Sequence, residues 1–234
     1  MVTTILFDLD GTLLPMDQDQ FVQAYLGGLA KKMIPHGYDP QLLIQCVWKG
    51  TGAMVVNDGS RRNDEVFWET FSRTYGKNCI SDEAKFEEFY RIEFQEFRKL
   101  CGFNPKAKET VDHLKKMGFR IALATNPLFP AIATHSRTLW AGLAPEDFEI
   151  ITTYENSYHC KPNLDYYRDI MGTLGVKPQE CLMVGNDVNE DMIAQELGMQ
   201  VFLLTDCIIN KHNRDITQYP HGSFPELMNY IRSL

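Results

Sequence analysis

The spacing of apolar positions changes twice along the chain. Residues 5–14, Ile-Leu-Phe-Asp-Leu-Asp-Gly-Thr-Leu-Leu, begin as a short continuous apolar run and then break into two carboxylates. Such a run predicts a buried β-strand. From 17 to 101 the period lengthens to that of helices, with no convincing strand pattern. Phe21, Tyr25, Leu29 and Met33 recur every fourth residue, and Val22 and Leu26 widen the stripe. A second helix is predicted over Asn63 to Tyr75, carrying Val66, Phe67, Phe71 and Tyr75. Phe86, Phe89, Tyr90, Phe94 and Phe97 make an aromatic stripe in a stretch opened by Ser81 and Asp82, both N-cap residue types. Stripes at this spacing predict helix-bundle core rather than a cofactor box.

Beyond Pro105 the pattern becomes an alternation of helix and strand. Strands are predicted at Phe119–Thr125, Phe148–Thr153, Cys181–Gly185 and Gln200–Leu204. Helices are predicted around Ala107, Val111 and Leu114, from Pro130 onward, over Leu164–Leu174, over Val188–Leu197 and over Phe224–Ile231, with Gly175 and Gly198 as stops. Such alternation implies right-handed crossovers and an α/β fold whose parallel sheet is covered by helices on both faces. The first strand precedes the helical stretch, so that stretch reads as an insertion. The expected domains are a core of 1–16 and 102–234 and a helical cap of 17–101. A cap entered directly after the two acids is expected to hang over them and act as a lid.

Composition narrows the partners. The chain has 234 residues, 44% hydrophobic and 23% charged, enough for a full core without staples. Its net charge of −8 and pI near 5.3 argue against nucleic acid or an anionic membrane as partner, while leaving room for a local basic pocket. The six cysteines show no metal-finger or Cys-x-x-Cys spacing. The chain enters its first strand without a basic leader, and no apolar run reaches membrane-spanning length. A cytoplasmic protein with reduced thiols is expected, as a monomer or small homo-oligomer.

The chemistry gathers at predicted strand ends, where open parallel sheets place their sites. Asp8 and Asp10 lie two apart on extended chain and so can converge, followed by Gly11, which lets the backbone bend, and the Thr12 hydroxyl. The plain alternative is an acidic turn closing a core strand. A second strand ends in Thr125 and Asn126, a hydroxyl and an amide able to bind an oxyanion, or simply an Asn-Pro turn. Lys161 precedes Pro162, and Asn163 can cap the next helix. A lysine there can neutralise phosphate or carboxylate, or be ordinary solvated surface. The sequence Gly185-Asn-Asp-Val-Asn-Glu-Asp191 ends a further strand in acids, with Asp187 and Asp191 spaced to share one side of a helical turn. Helix-capping explains one of those acids better than all of them. No zinc spacing, serine-hydrolase elbow or nucleotide-binding glycine loop occurs.

Asp8-Leu-Asp10-Gly-Thr, then Thr125, then Lys161, then Asp187 with Asp191, in that order, resembles the haloacid dehalogenase superfamily over essentially the whole chain. The resemblance implies a Rossmann-like core with a helical cap inserted after the first motif. It also implies roles. Asp8 is the nucleophile that attacks phosphorus, and Asp10 is the acid that protonates the leaving oxygen and then the base that activates water. Gly11, Thr125, Asn126 and Lys161 bind the phosphoryl group. Asp8, the Asp10 carbonyl and Asp187 bind Mg²⁺, with Asp191 positioning a metal-bound water or holding Lys161. The all-oxygen set suits Mg²⁺ rather than Zn²⁺. The motif commonly begins Gly-Asp, whereas Asn186 intervenes here; Asn186 is then a weaker ligand or an outer donor.

Dehalogenases of this kind lack the second acid, because halide leaves without a proton. Asp10 therefore favours a Mg²⁺-dependent phosphatase acting on a small soluble phosphomonoester. A sugar phosphomutase shares both acids, and a non-catalytic binding protein would share only the fold. In the cap, Lys49-Gly-Thr-Gly52 is expected to be a loop, and Arg61-Arg62 follows a turn. One of these can face the site and contact a second anionic group, the plain alternative being solvated charge. Asp17 and Asp19 are expected to cap the entry helix.

Overall fold

The computed structural model describes residues 1–234. Strands β1 (Thr4–Phe7), β2 (Arg120–Leu123), β3 (Cys181–Gly185), β4 (Gln200–Leu204) and β5 (His221–Gly222) form one sheet in the order β2-β1-β3-β4-β5, every pair parallel. Every residue of β1 is buried because both of its faces are covered. Ile5 and Phe7 join an apolar cluster with Val111 and Leu114 of α5 (Pro105–Lys116) and Leu227 and Ile231 of α8 (Phe224–Arg232). Leu6, between them, joins the opposite cluster with Tyr166, Tyr167 and Ile170 of α7 (Leu164–Leu174). That alternation is the two-residue period of extended chain.

β1 lies between β2 and β3, so the strand order reverses around it. Crevices at such reversals, outside the carboxyl ends of strands, are where α/β sheets bind ligands. The residues that follow β1, β2 and β3 include Asp8, Thr125 and Asn186. The helical stretch consists of α1 (Gln18–Met33), α2 (Pro40–Val55), α3 (Asn63–Tyr75) and α4 (Glu83–Arg91). Asp17 caps α1 by accepting from the Gln20 N–H at 3.0 Å, and Asp39 caps α2 at 2.8 Å from the Leu42 N–H. Phe21, Tyr25, Leu29 and Met33 are all buried, as their spacing requires. The chain enters and leaves this stretch side by side: Met16 pairs with Cys101, and the Gly102 N–H donates to the Pro15 carbonyl at 2.7 Å.

Several elements differ from expectation, each for a local reason. The aromatic stripe of 86–97 is not one helix. It breaks at Ile92, where ψ is −77°, and resumes as a 3₁₀ helix over Glu93–Leu100. Ser81 and Asp82 lie in a 3₁₀ turn, and the Asp82 carboxylate accepts from the Tyr38 hydroxyl and Lys85 instead of capping α4. Residues 148–153 run beside β2 with a single bridge, Leu123 to Ile151, before Tyr154 is drawn away by the Phe129 carbonyl. The helix expected over 188–197 shrinks to a 3₁₀ helix, Met192–Leu197, ended by Gly198. Asp187 accepts from the N–H groups of Asn189 and Glu190 as an N-cap would, but the turn that follows does not continue as an α-helix. Lys49 and Gly52 lie inside α2, not in a loop.

Candidate active site

Asp8 follows the last residue of β1 and is buried, yet it lines a cavity of about 150 Å³ at the strand ends. Its two oxygens are held differently. Oδ1 accepts from Lys161 Nζ at 2.9 Å, and Oδ2 lies 3.1 Å from the Thr12 hydroxyl. That hydroxyl is shared with the Asn186 amide oxygen at 3.0 Å. Lys161 Nζ also meets Asp191 Oδ1 at 2.7 Å, while Asp191 Oδ2 accepts from the Asp187 N–H at 2.9 Å. Lys161 and Asp191 are each 1% exposed. Asp191 therefore holds Lys161. Gly185 must lack a side chain for this to happen, since a Cβ there would lie 2.1 Å from Asp191 Oδ2.

Thr125 lines the same cavity, with its carbonyl pinned by the Thr152 and Tyr166 hydroxyls. Two residues expected at the phosphate have partners within the protein, although Asn126 also lines the cavity. Asn126 donates to Glu190 at 3.0 Å and accepts from the Lys161 N–H at 3.2 Å, so it braces the lysine's backbone. Gly11 spends its N–H on the Leu14 carbonyl at 2.8 Å; its φ of +85° and its closeness to the Asn186 amide explain why it is glycine. Asn186 is buried one hydroxyl away from Asp8 and donates to the Cys207 carbonyl at 2.7 Å, whereas Asp187 is only half-buried at the cavity edge. Neither Lys49 nor Arg61 lines this cavity; Lys49 is exposed and Arg61 pairs with Glu69 on the surface.

The sequence reading missed Arg137. It projects from α6 (Ala131–Trp140) and is 1% exposed, its Nη1 2.5 Å from Asp10 Oδ2. Its guanidinium lies 4.1 Å from the Phe129 ring centroid, the geometry of a cation–π contact. The other Asp10 oxygen and Arg137 Nε are buried without partners. A signal was present: Ala133, four residues before, and Trp140, three after, are inward-facing apolar positions that place Arg137 in the same register. Gln18 was also missed; its amide donates to the Asp10 carbonyl at 3.0 Å.

Five carboxylates line the cavity, from Asp8, Asp10, Asp187, Glu190 and Asp191, against one lining cation, Arg137, with Lys161 buried behind Asp8 and Asp191. Burial raises three of them. Burial, aided by Asp191 and Asp10, pushes Asp8 up to about 7 despite Lys161. Burial raises Asp10 too, opposed by Arg137 and Lys161. Glu190 is driven to about 7, chiefly by burial. Burial alone would favour neutral Lys161, but Asp191 and Asp8 outweigh it and hold its pKa well above the ordinary value. No three acidic or thiol or imidazole groups converge as a closed metal cage. A set of carboxylate, backbone carbonyl and amide or second carboxylate needs no such cage. The all-oxygen donors and surplus negative charge fit a hard divalent cation.

A family model for haloacid dehalogenase-like hydrolases matches residues 2–197. The chain belongs to that family. The pyrophosphatase PpaX of Halalkalibacterium halodurans is 25% identical over 98% of this chain and 97% of its own length. Among solved structures, CbbY of Rhodobacter sphaeroides in complex with phosphate superposes with a TM-score of 0.58 at 18% identity, covering 97% of this chain and 96% of that one. The HAD-hydrolase YfnB of Bacillus subtilis bound to magnesium does so at 0.55 and 18%, covering 98% of each. At these identities the structural likeness speaks for the fold. The hydrolase has no helix long and apolar enough to cross a membrane.

Proposed function

We propose that this hydrolase is a phosphatase of small phosphomonoesters, working through an aspartyl-phosphate on Asp8. The observation that carries the reading is the pairing of Asp8 and Asp191 with one buried ammonium, Lys161, beside an acid-rich cavity. Such an arrangement presents a carboxylate oxygen to an electrophile while a fixed cation stands ready for the electrophile's anionic oxygens. Catalysis of phosphoryl transfer is mostly such positioning and charge compensation.

Asp8 attacks phosphorus, forming its bond as the ester P–O bond breaks. Lys161, held by Asp191, neutralises charge on the transferring group, and the Thr125 hydroxyl bonds one of its oxygens. Asp10 gives its proton to the departing alkoxide and later takes one from the water that hydrolyses the acyl phosphate. Thr12 and Asn186 fix the Asp8 carboxylate plane. Mg²⁺, held by Asp8, the Asp10 carbonyl and Asp187 or Asn186, supplies further positive charge when bound. The cap of 17–101 and core of 1–16 with 102–234 are the corresponding units, and a cytoplasmic setting, where six thiols stay reduced, belongs to the same proposal.

The test is phosphate release by purified protein with Mg²⁺ across a panel of phosphomonoesters. Wild type should turn over at least one member, and Asp8→Asn should abolish it with an unchanged circular-dichroism spectrum. Full activity in Asp8→Asn, or no release from any ester by wild type, would refute the proposal.

A further inference from the structure

Asn63 opens α3 between exposed Arg61 and Arg62 on one side and exposed Glu65 on the other, yet it is itself 0% exposed. An asparagine at a helix start is ordinarily solvated. The burial comes from the segment that leads into Lys161. The N–H groups of Asn63 and Asp64 donate to the carbonyls of Ser157 and Tyr154 at 2.9 and 3.0 Å, so two free donors of the helix start are met from outside the helix. The Asn63 side chain reaches farther along the same segment. Its Nδ2 lies 3.4 Å from the His159 carbonyl and 3.3 Å from Cys160 Sγ. Its Oδ1 accepts at 2.9 Å from Asn57 Nδ2, which also donates to the Arg61 carbonyl at 2.8 Å. Gly59, in the same loop, passes so near that a Cβ there would lie 2.4 Å from His159 Nε2. Apolar contact backs these bonds: Met54 of α2 shares a buried cluster with Tyr154 and Cys160, and Phe67 of α3 packs against it.

The residue after Cys160 is the buried lysine. Its backbone is braced on another side by Asn126, which accepts the Lys161 N–H at 3.2 Å, and His159 is tied to Asp169 of α7 at 2.7 Å. Lys161 Nζ is held between Asp8 and Asp191, so a shift of its backbone must strain either the stem or those two bonds. Misplacing a catalytic group by about 1 Å costs on the order of a hundredfold in rate. Deleting the Asn63 amide would also leave the buried Asn57 amide one acceptor short, which drives the loop to rearrange.

We propose that Asn63 is a positioning residue for Lys161: through this side chain the cap sets the backbone from which the ammonium reaches the phosphoryl group. The part played by Lys161 at phosphate rests on the phosphatase reading; the hold of Asn63 on residues 154–160 does not. Asn63 does not line the cavity at Asp8. A cap residue touching the alcohol changes selectivity among esters, whereas one that places Lys161 acts on the group common to all of them.

Asn63→Ala and Asn63→Ser in the full chain test this. The main-chain bonds to Ser157 and Tyr154 need no side chain and keep the cap docked, and serine retains a polar group should alanine lose the fold. With assays run well below the melting temperature, kcat/KM should fall at least about threefold, within the range for coupling through packed networks. The factor should be the same for p-nitrophenyl phosphate and for the best alkyl ester of the panel. The inhibition constant of vanadate, which carries no alcohol, should rise by a similar factor. Unchanged kcat/KM and vanadate inhibition in a folded variant overturn the proposal. So does a loss that differs between esters while vanadate binds as before, since that marks contact with the alcohol. Amide hydrogen exchange supplies a readout without turnover: peptides spanning 154–161 should exchange faster in both variants, and wild-type exchange overturns the proposal. Faster exchange in a protein whose wild type releases phosphate from no ester overturns the phosphatase reading and leaves the hold of Asn63 on the Lys161 segment standing.

Discussion

Replacing Lys161 by Met removes the one ammonium between two buried carboxylates while keeping a side chain of comparable reach. The nitrogen sits 2.9 Å from Asp8 and 2.7 Å from Asp191, and is 1% exposed. Taking one partner from a buried ion pair costs about 3–5 kcal/mol, because the other is left charged and unpaired. Here two are left, so the upper part of that range is expected near pH 8. The sign of the pH dependence follows. Asp8 titrates at about 7 in the fold against an ordinary value near 3.8, so its contribution to stability is fully present below the ordinary value and is lost as pH rises through about 7. Without Lys161 its pKa moves higher still. Urea unfolding followed by circular dichroism, with EDTA present, should therefore show a large deficit for Lys161→Met at pH 8 that narrows at pH 5. A variant as stable as wild type at pH 8, or a deficit that widens on acidification, refutes the argument.

Gly185→Ala should cost about 1–3 kcal/mol, since the added methyl meets Asp191 at 2.1 Å, and should lower kcat by freeing Lys161; wild-type melting and turnover together would contradict this. A double-mutant cycle of Asp10→Asn and Arg137→Met should give a stability coupling of at least about 1 kcal/mol, the range for groups in direct contact, whereas strict additivity would deny the pairing. Inorganic phosphate should bind weakly or not at all in EDTA and measurably with Mg²⁺, because like unit charges about 4 Å apart repel by roughly 4 kcal/mol at a protein surface. Equal affinity in the two buffers, by calorimetry, would show that Lys161 and Arg137 alone offset the five carboxylates.

The residues legible in the sequence are those whose position follows from backbone period. Asp8 and Thr125 follow apolar runs directly, and a parallel sheet brings such strand ends together whatever the side chains do; Lys161 and Asp191 lie farther along the connecting segments and stand out by residue type and spacing. The sheet buried on both faces was legible for the same reason, as Ile5, Leu6 and Phe7 are continuous rather than alternating. Where side chains compete with the backbone, the pattern misleads. Asp187 and Asp191 look like the start of a helix over 188–197, and Asp187 does accept N–H groups as a cap would, but the Asp191 carboxylate is committed to the Asp187 N–H and Lys161, and only a 3₁₀ helix from Met192 follows.

Contacts that span the chain leave the faintest trace. Arg137 meets Asp10 across 127 positions, and nothing local distinguishes it from the arginines that pair at the surface. Only its inward register on α6, among Ala133, Thr134 and Trp140, departs from the habit of surface arginines. The cap aromatics pose the converse problem. Phe67, Trp68, Phe86 and Tyr90 have the spacing of core residues, and they do pack on one another. Periodicity reports which side of a helix faces inward; it does not report whether the inward space is filled. Here it is not: a cavity of about 110 Å³ lies between these rings and Leu128, Phe129 and Tyr154 of the segment that follows β2.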